Sequence, residues 1–101
     1  MLQLEERHLN ILKNILKKYP YTFYAFGSRT KGAAKRLSDL DLCIMEDIPS
    51  NVLSHLEEDF EESNLPFKID LVQWKHTSDT FKEQIRNDLK LIILENPARD
   101  N

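Results

Sequence analysis

The chain has 101 residues, a net charge of −3 and 41% hydrophobic residues, which is typical of one small globular domain spanning residues 1–101. No apolar run approaches the ~18 residues of a membrane-spanning helix, and the N-terminus lacks the pattern of a secretory signal. The single cysteine, Cys43, excludes an internal disulfide framework and indicates a cytoplasmic protein.

The charges are distributed unevenly along the chain. Residues 1–45 contain eight Lys/Arg and four Asp/Glu, a net +4, whereas residues 46–101 contain six and thirteen, a net −7. The four basic residues between Ala25 and Ser38 form a local patch that would attract phosphate groups. Because the remainder is acidic, we expect no direct general nucleic-acid binding.

The first half of the chain predicts a helix, a strand and a basic segment. Apolar residues recur at helical spacing over residues 3–18, and Pro20 ends this amphipathic helix. The aromatic run TFYAF, residues 22–26, predicts the first strand. A glycine-serine turn follows, and then a basic segment for which we expect one helix of about two turns.

The second half continues the alternation of strands and helices. Residues 40–46 predict a second strand, and Ser50 is the expected N-cap of the next helix. Residues 67–73 predict a third strand, and a last helix is expected to start between Thr77 and Asp79. Residues 91–94 fit either a fourth strand or the end of that helix. This order predicts an α/β (α+β) fold, a small mixed β-sheet with helices packed on it.

Three aspartates lie in or beside these predicted strands. Because strand side chains alternate between faces, Asp39 and Asp41 are expected on one face, with the neighbouring leucines in the core. Adjacent carboxylates repel each other, and a hard cation such as Mg²⁺ relieves that repulsion. If the second and third strands pair, Asp70 joins them. Three carboxylates suit two metal ions roughly 3.5–4 Å apart, the arrangement used for phosphoryl transfer.

The glycine-serine turn precedes these carboxylates by ten residues. The missing side chain of Gly27 would let the backbone approach a phosphate, and Ser28 could donate from its hydroxyl and its N–H. Arg29 is the best placed of the basic residues to add charge. Alone, a glycine-serine turn is more often structural, and a D-x-D pair also serves metal-bound nucleotide sugars in some glycosyltransferases. Together the features favour a nucleotidyltransferase-like site.

The pattern G-S-x10-D-x-D from Gly27 to Asp41 resembles the signature of the DNA polymerase β-like nucleotidyltransferase superfamily. Asp70 corresponds to the third carboxylate of that family. The small size and the form GSR-x-x-G…SDLDL…IDLVQW are similar to the minimal nucleotidyltransferases, the MntA-type antitoxins. The resemblance extends from about Tyr24 to the last helix, and its mild departure is a lysine in GSRTKG where an arginine is common.

This resemblance implies a polymerase β palm-like nucleotidyltransferase fold, with ATP as substrate and Mg²⁺ as cofactor. It also implies AMP transfer onto a tyrosine of a HEPN-domain ribonuclease toxin, with which the chain would form a hetero-oligomer. The implied phosphate-binding residues are Gly27, Ser28 and, less strongly, Arg29. The implied catalytic and metal-binding residues are Asp39, Asp41 and Asp70, the last of which would also help to activate the tyrosine hydroxyl.

Two other functions fit the same residues. The chain could be an antitoxin that neutralises its partner by occlusion, although a vestigial site would be expected to lose one of its residues. It could also transfer a nucleotide to a small molecule bound by a separate subunit, because 101 residues leave no room for an acceptor domain. Trp74 is expected to pack against a helix rather than stack on a base. A sheet edge or an apolar helix face is the expected partner surface.

Overall fold

The structure, a computed structural model, describes residues 2–32, 34–35 and 37–94. The helices α1, α2 and α3 span Glu6–Leu16, Ser50–Glu61 and Asp79–Ile85. The strands β1, β2, β3 and β4 span Phe23–Phe26, Leu40–Ile44, Ile69–Gln73 and Lys90–Leu91. The predicted mixed sheet with helices packed on it is confirmed. None of the helices in the described ranges is long and apolar enough to cross a membrane.

The four strands form one sheet in the order β3-β2-β1-β4. β1 pairs antiparallel with both β2 and β4, whereas β2 and β3 are parallel. A parallel pair needs a long crossover connection, which α2 provides between these two strands. The pairing of the second and third predicted strands, on which the carboxylate cluster depended, is therefore present, with β3 at one edge of the sheet.

The larger hydrophobic core lies between the sheet and the pair α1 and α2. Leu12 and Leu16 on α1 and Leu56 on α2 are fully buried. They pack with Phe23 of β1 and Leu42 of β2, which point to the same face of the sheet. Each of these helices presents one apolar stripe, so this face supplies most of the buried apolar area that stabilises the fold.

A polar contact joins the end of α1 to α2 at the rim of this core. The Tyr19 hydroxyl donates to Asp59 Oδ2 over 2.5 Å, and Lys18 Nζ lies 3.1 Å from the same oxygen. Burial and the neighbouring Asp59 raise the pKa of Tyr19 to about 12. The hydrogen bonds from Tyr19 and Lys18 in turn hold the pKa of the Asp59 carboxyl below its usual value.

The opposite face of the sheet carries α3 and a smaller cluster. Phe26, Cys43 and Ile85 are buried there, and Trp74 and Phe81 pack against them. Trp74 thus packs against the cluster that includes Ile85 of α3, as the sequence predicted. This cluster covers the sheet only partly, because α3 has seven residues and continues as a single 3-10 turn over Arg86–Asp88.

The basic segment and the start of α2 differ from the sequence-based predictions. The basic segment forms one 3-10 turn, Ser28–Thr30, instead of a two-turn helix, and Gly32 follows it at φ +72°. Ser50 is the first residue of α2, with Pro49 as its N-cap. The last helix begins at Asp79, within the predicted range, and the Ser78 hydroxyl caps it by accepting the Phe81 N–H.

Candidate active site

Asp41 and Asp70 lie next to each other on the face of the sheet that carries α3. The pairing register aligns Phe26 of β1, Asp41 of β2 and Asp70 of β3 in one row across three strands. Neighbouring strands are about 4.8 Å apart, so the two carboxylates extend from adjacent positions in the same direction. The sequence predicted that Asp70 would lie beside Asp39 and Asp41, and the structure places it beside Asp41.

Asp41 experiences charge from both other aspartates. Burial raises the pKa of the Asp41 carboxyl, and the negative charges of Asp70 and then Asp39 raise it further. Asp39 lies immediately before β2 and is exposed to solvent. The structure therefore places Asp41 between two like charges, in the arrangement that a bound cation would relieve.

The carboxylates of Asp39, Asp41 and Asp70 do not surround a common point in this structure. Among residues 2–32, 34–35 and 37–94, no three His, Cys, Asp or Glu side chains are grouped so that they could hold a metal ion. The donor chemistry nevertheless fits Mg²⁺, which prefers carboxylate oxygens and keeps several waters. Asp41 and Asp70, on adjacent strands, supply two such carboxylates at neighbouring positions.

Gly27 lies directly against Asp41. Its backbone has φ +86° and ψ −156°, a conformation that residues with a side chain rarely adopt. A Cβ added at this position would collide with Asp41 Oδ2. Gly32, at φ +72°, has no atom within 4 Å of such a Cβ. Gly27 is therefore required by the packing of its backbone on the carboxylate as well as by its turn conformation.

The turn after Gly27 is held by local hydrogen bonds. Thr30 donates to the Gly27 carbonyl from its N–H at 3.0 Å and from its hydroxyl at 2.7 Å. Lys31 N–H donates to the Ser28 carbonyl at 3.1 Å, and Ser28 is half-buried. The turn places Ser28 one residue from Gly27, and phosphate binding by Ser28 stays a prediction.

Arg29 points into the protein, where it is only 5% exposed. Its Nε and Nη2 donate to the Ser38 carbonyl at 3.0 and 2.7 Å, and its Nη1 donates to the Gln3 carbonyl at 3.0 Å. The guanidinium lies 4.2 Å from the ring centre of Phe67. Burial lowers the pKa of Arg29, against the effect of Asp39. These contacts give Arg29 a structural role, and the predicted phosphate contact remains untested.

A cavity of about 760 Å³ opens beside the carboxylates. The lining residues on the α3 face are Phe26, Asp41, Asp70, Val72 and Phe81. The cavity continues around the edge of β3 to the C-terminal half of α2, where Glu57 and Glu61 line it. Asp41 and Asp70 are thus brought to one accessible space, while Gly27, Ser28 and Asp39 do not line it.

The aromatic wall of this cavity was not found from the sequence. Phe26 and Phe81 meet edge to face, with ring centroids 5.8 Å apart. The alternation in TFYAF did place Phe26 on a strand, but only the register with β2 puts it opposite Asp41. A strand register and a helix position are long-range properties, so no local signal indicated this pair.

Cys43 lies on the same face as Asp41, two residues further along β2, and is fully buried. Burial raises the pKa of its thiol to about 11, and the charge of Lys82 opposes this shift. A thiol with so high a pKa is a poor nucleophile at neutral pH. The prediction that Cys43 is a small core residue is confirmed.

Comparison with known proteins supports a nucleotidyltransferase. The family model described as polymerase beta, nucleotidyltransferase matches residues 10–98. The chain is 46% identical over 89 residues to the probable protein adenylyltransferase MntA of Haemophilus influenzae, covering 84% of this chain and 78% of that protein. A chain from the crystal structure of a toxin–antitoxin with AMP-PNP has the same fold. Its TM-score is 0.67 at 21% identity, covering 89% of this chain and 76% of that one.

Proposed function

The chain belongs to the polymerase β nucleotidyltransferase family, and from that membership we propose that it transfers AMP from ATP onto a partner protein. The proposed acceptor is a tyrosine hydroxyl of a HEPN-type ribonuclease toxin, so that the chain acts as the antitoxin of a toxin–antitoxin pair. The 46% identity to a probable protein adenylyltransferase supports this class of reaction. The toxin–antitoxin fold relative is consistent with such a partner, although at 21% identity it speaks for the fold alone.

The observation that carries the proposal is the row of Asp41 and Asp70 beside an open cavity. Two carboxylates on adjacent strands repel each other, and this repulsion contributes to the raised pKa of Asp41. A purely structural position would favour a neutral or paired side chain there. A cation bound in the cavity together with a charged substrate would relieve this repulsion, which accounts for two carboxylates at adjacent positions.

Asp39, Asp41 and Asp70 are the residues that would hold Mg²⁺. When bound, Mg²⁺ would supply positive charge that orients the triphosphate and stabilises the leaving pyrophosphate. The N–H and the hydroxyl of Ser28 would donate to phosphate oxygens. In this proposal Arg29 holds the loop between the turn and Asp39, and a direct phosphate contact by its guanidinium stays a prediction.

The proposed transfer is a single displacement at the α-phosphorus of ATP. A bond forms between the tyrosine oxygen and the α-phosphorus, and the bond from the α-phosphorus to the bridging oxygen breaks, releasing pyrophosphate. Asp70 accepts the phenolic proton, for which a carboxylate at hydrogen-bond distance from the incoming hydroxyl is suited. Phe26 and Phe81 form an apolar wall of the same cavity.

Substitution of the central carboxylates tests this function. Loss of residues that only orient metal ligands costs about 10–100-fold, so removing a ligand in Asp41→Asn or Asp70→Asn should lower transfer by at least about 100-fold. The exposed Asp47→Asn is the matched control, because its carboxylate lies 3.5 Å from Lys75, away from the cavity lining. ATP binding is measured by calorimetry with and without Mg²⁺, and transfer is followed with α-labelled ATP and the protein encoded by the neighbouring gene.

The outcomes separate the candidate functions. Wild-type transfer that is lost in both site variants, but not in Asp47→Asn, supports the enzyme. Undiminished transfer by Asp41→Asn would refute the assigned roles. A wild-type chain that neutralises the partner without transferring label would leave occlusion as the function, and labelling of a small molecule in place of protein would identify a different acceptor.

A further inference from the structure

The N-terminal segment before α1 is attached to the loop that leads to Asp39. The Gln3 side-chain amide pairs with the backbone of Ala34: Nε2 donates to the Ala34 carbonyl at 3.0 Å, and the Ala34 N–H donates to Oε1 at 3.1 Å. The Gln3 main chain bonds to Arg29 in both directions, through the Arg29 carbonyl at 2.6 Å and the guanidinium at 3.0 Å. Gln3 lies outside residues 10–98, which match the family.

The loop between Gly27 and Asp39 is held at three residues, Arg29, Ala34 and Ser38. Gln3 contacts its beginning at Arg29 and its middle at Ala34. Arg29 in turn donates twice to the carbonyl of Ser38, next to Asp39. Lys35 N–H donates to the Ser38 hydroxyl at 2.8 Å. One network therefore connects the N-terminal segment to both ends of the loop between Gly27 and Asp39.

Gln3 is the hydrogen-bond partner of the middle of this loop. After Ser28–Thr30, the described residues of the loop form no helix or strand. Near its end the Ser38 N–H donates to the Lys35 carbonyl at 3.0 Å, and near its beginning Lys31 Nζ lies 3.2 Å from Asp88 Oδ2. At Ala34 the backbone N–H and C=O groups are both satisfied by the Gln3 side-chain amide.

We propose that Gln3 is a positioning residue for the triphosphate, whose contacts with Arg29 and Ala34 hold the loop so that it presents Ser28 and Asp39 to the nucleotide. This inference rests on the proposed function, because it assigns a role within the same site. Without the Gln3 amide, nucleotide binding must first order the loop, and that entropic cost appears as weaker affinity. Asp41 and Asp70 lie on β2 and β3, outside this loop, and keep their positions.

The test compares Gln3→Ala and Gln3→Leu with wild type, with Asn10→Ala on α1 as an exposed control. Gln3→Leu keeps most of the side-chain volume but removes both hydrogen bonds to Ala34. We expect either Gln3 variant to raise the Kd and KM for Mg-ATP about threefold to tenfold, the range of two exposed hydrogen bonds, with kcat unchanged. Amide hydrogen exchange should accelerate in residues 28–38 and stay unchanged in β3.

Each outcome either supports or overturns the positioning role of Gln3. Faster exchange in the loop together with a raised KM and an unchanged kcat establishes the positioning role. Wild-type affinity in both Gln3 variants overturns it while leaving the nucleotidyltransferase intact, and so does an equal loss in Asn10→Ala. Faster exchange throughout β3, with a lower apparent kcat and an unchanged KM, would make Gln3 a general stability residue and also overturn the inference. A wild-type chain that binds no Mg-ATP removes the proposed function, and this role with it.

Discussion

The two faces of the sheet differ in what they bury. The face under α1 and α2 buries residues such as Leu42 and Leu56 completely, and its polar contacts lie at the rim. The face under α3 holds Cys43 and Phe26 at its centre but leaves Asp41 and Asp70 beside an open cavity. The same strands therefore supply stability on one side and reactive groups on the other.

This division follows from the period-two geometry of strands. In β2, Leu40, Leu42 and Ile44 point to the helix pair, while Asp41 and Cys43 point to the other face. A shift of one residue would exchange the two sets and bury a carboxylate in the core, which is costly. The large core thus fixes the register that aligns Asp41 with Asp70. Substitutions on one face should accordingly change stability, and substitutions on the other should change activity.

The largest effect is expected from Leu56→Ala on the helix face. Leu56 is fully buried in the larger core, and truncation of such a leucine costs about 3–5 kcal/mol of unfolding free energy. Urea denaturation measures this loss. Because Leu56 faces away from the carboxylates, the kcat of the folded fraction should be unchanged. Leu53→Ala, at the partly buried rim of the same helix, is the control and should cost less. A large change of kcat in the folded Leu56→Ala protein would contradict the separation of the two faces.

Gly27→Ala should lower both the stability of the fold and the binding of Mg-ATP, with an effect on stability smaller than that of Leu56→Ala. The alanine must adopt φ +86° and its Cβ must displace Asp41 Oδ2, so we expect about 1–3 kcal/mol of destabilisation and a loss of Mg-ATP binding. Calorimetry and urea denaturation measure the two changes.

Gly32→Ala provides the matched comparison. It imposes a similar positive φ, +72°, in open space, so it should cost stability through backbone strain but retain nucleotide binding. Equal binding losses in both glycine variants would show that the contact of Gly27 with Asp41 is unimportant.

The smallest effect is expected from Tyr19→Phe, at the rim of the helix face. A hydrogen bond to a charged carboxylate, discounted for partial exposure, is worth about 1 kcal/mol at neutral pH. Because the folded-state pKa of Asp59 is lowered, its stabilisation is present above its unfolded pKa and disappears as the pH falls through the folded value. The stability difference between wild type and Tyr19→Phe should therefore shrink in acid.

Urea denaturation at neutral and acidic pH measures this convergence. Tyr21→Phe is the control, since Tyr21 packs at the edge of the same core two residues along the chain. A difference between wild type and Tyr19→Phe that is independent of pH would assign the stabilisation to packing instead of the Asp59 contact.

The features that depend on local spacing were predicted well. The helix over residues 3–18, the three principal strands and the mixed sheet are confirmed, apart from shifts at the ends of elements. The family resemblance drawn from Gly27, Asp39, Asp41 and Asp70 is confirmed by the family match and by the 46% identical relative. Such motifs are readable because each residue type follows from a chemical or backbone requirement at a fixed separation.

The features that depend on distant contacts could not be predicted. The basic segment was expected to be helical, but its arginine turns inward to Ser38 and Gln3, which no local pattern encodes. The contact between Gly27 and Asp41 requires the antiparallel register of β1 and β2. The cavity wall formed by Phe81 depends on where α3 packs. In each case the determining partner is far away in sequence.

The buried thiol of Cys43 is a native probe of local opening on the α3 face of the sheet. Cys43 lies on the same face as Asp41, fully buried under the α3 cluster and with a pKa of about 11. A thiol-specific dye therefore reacts with the native protein only when this cluster opens locally or the whole fold unfolds. With a single cysteine in the chain, the labelling rate counts those openings without any introduced probe. The labelling rate of Cys43 thus measures how often the structure around the site opens, and it can be compared with and without nucleotide.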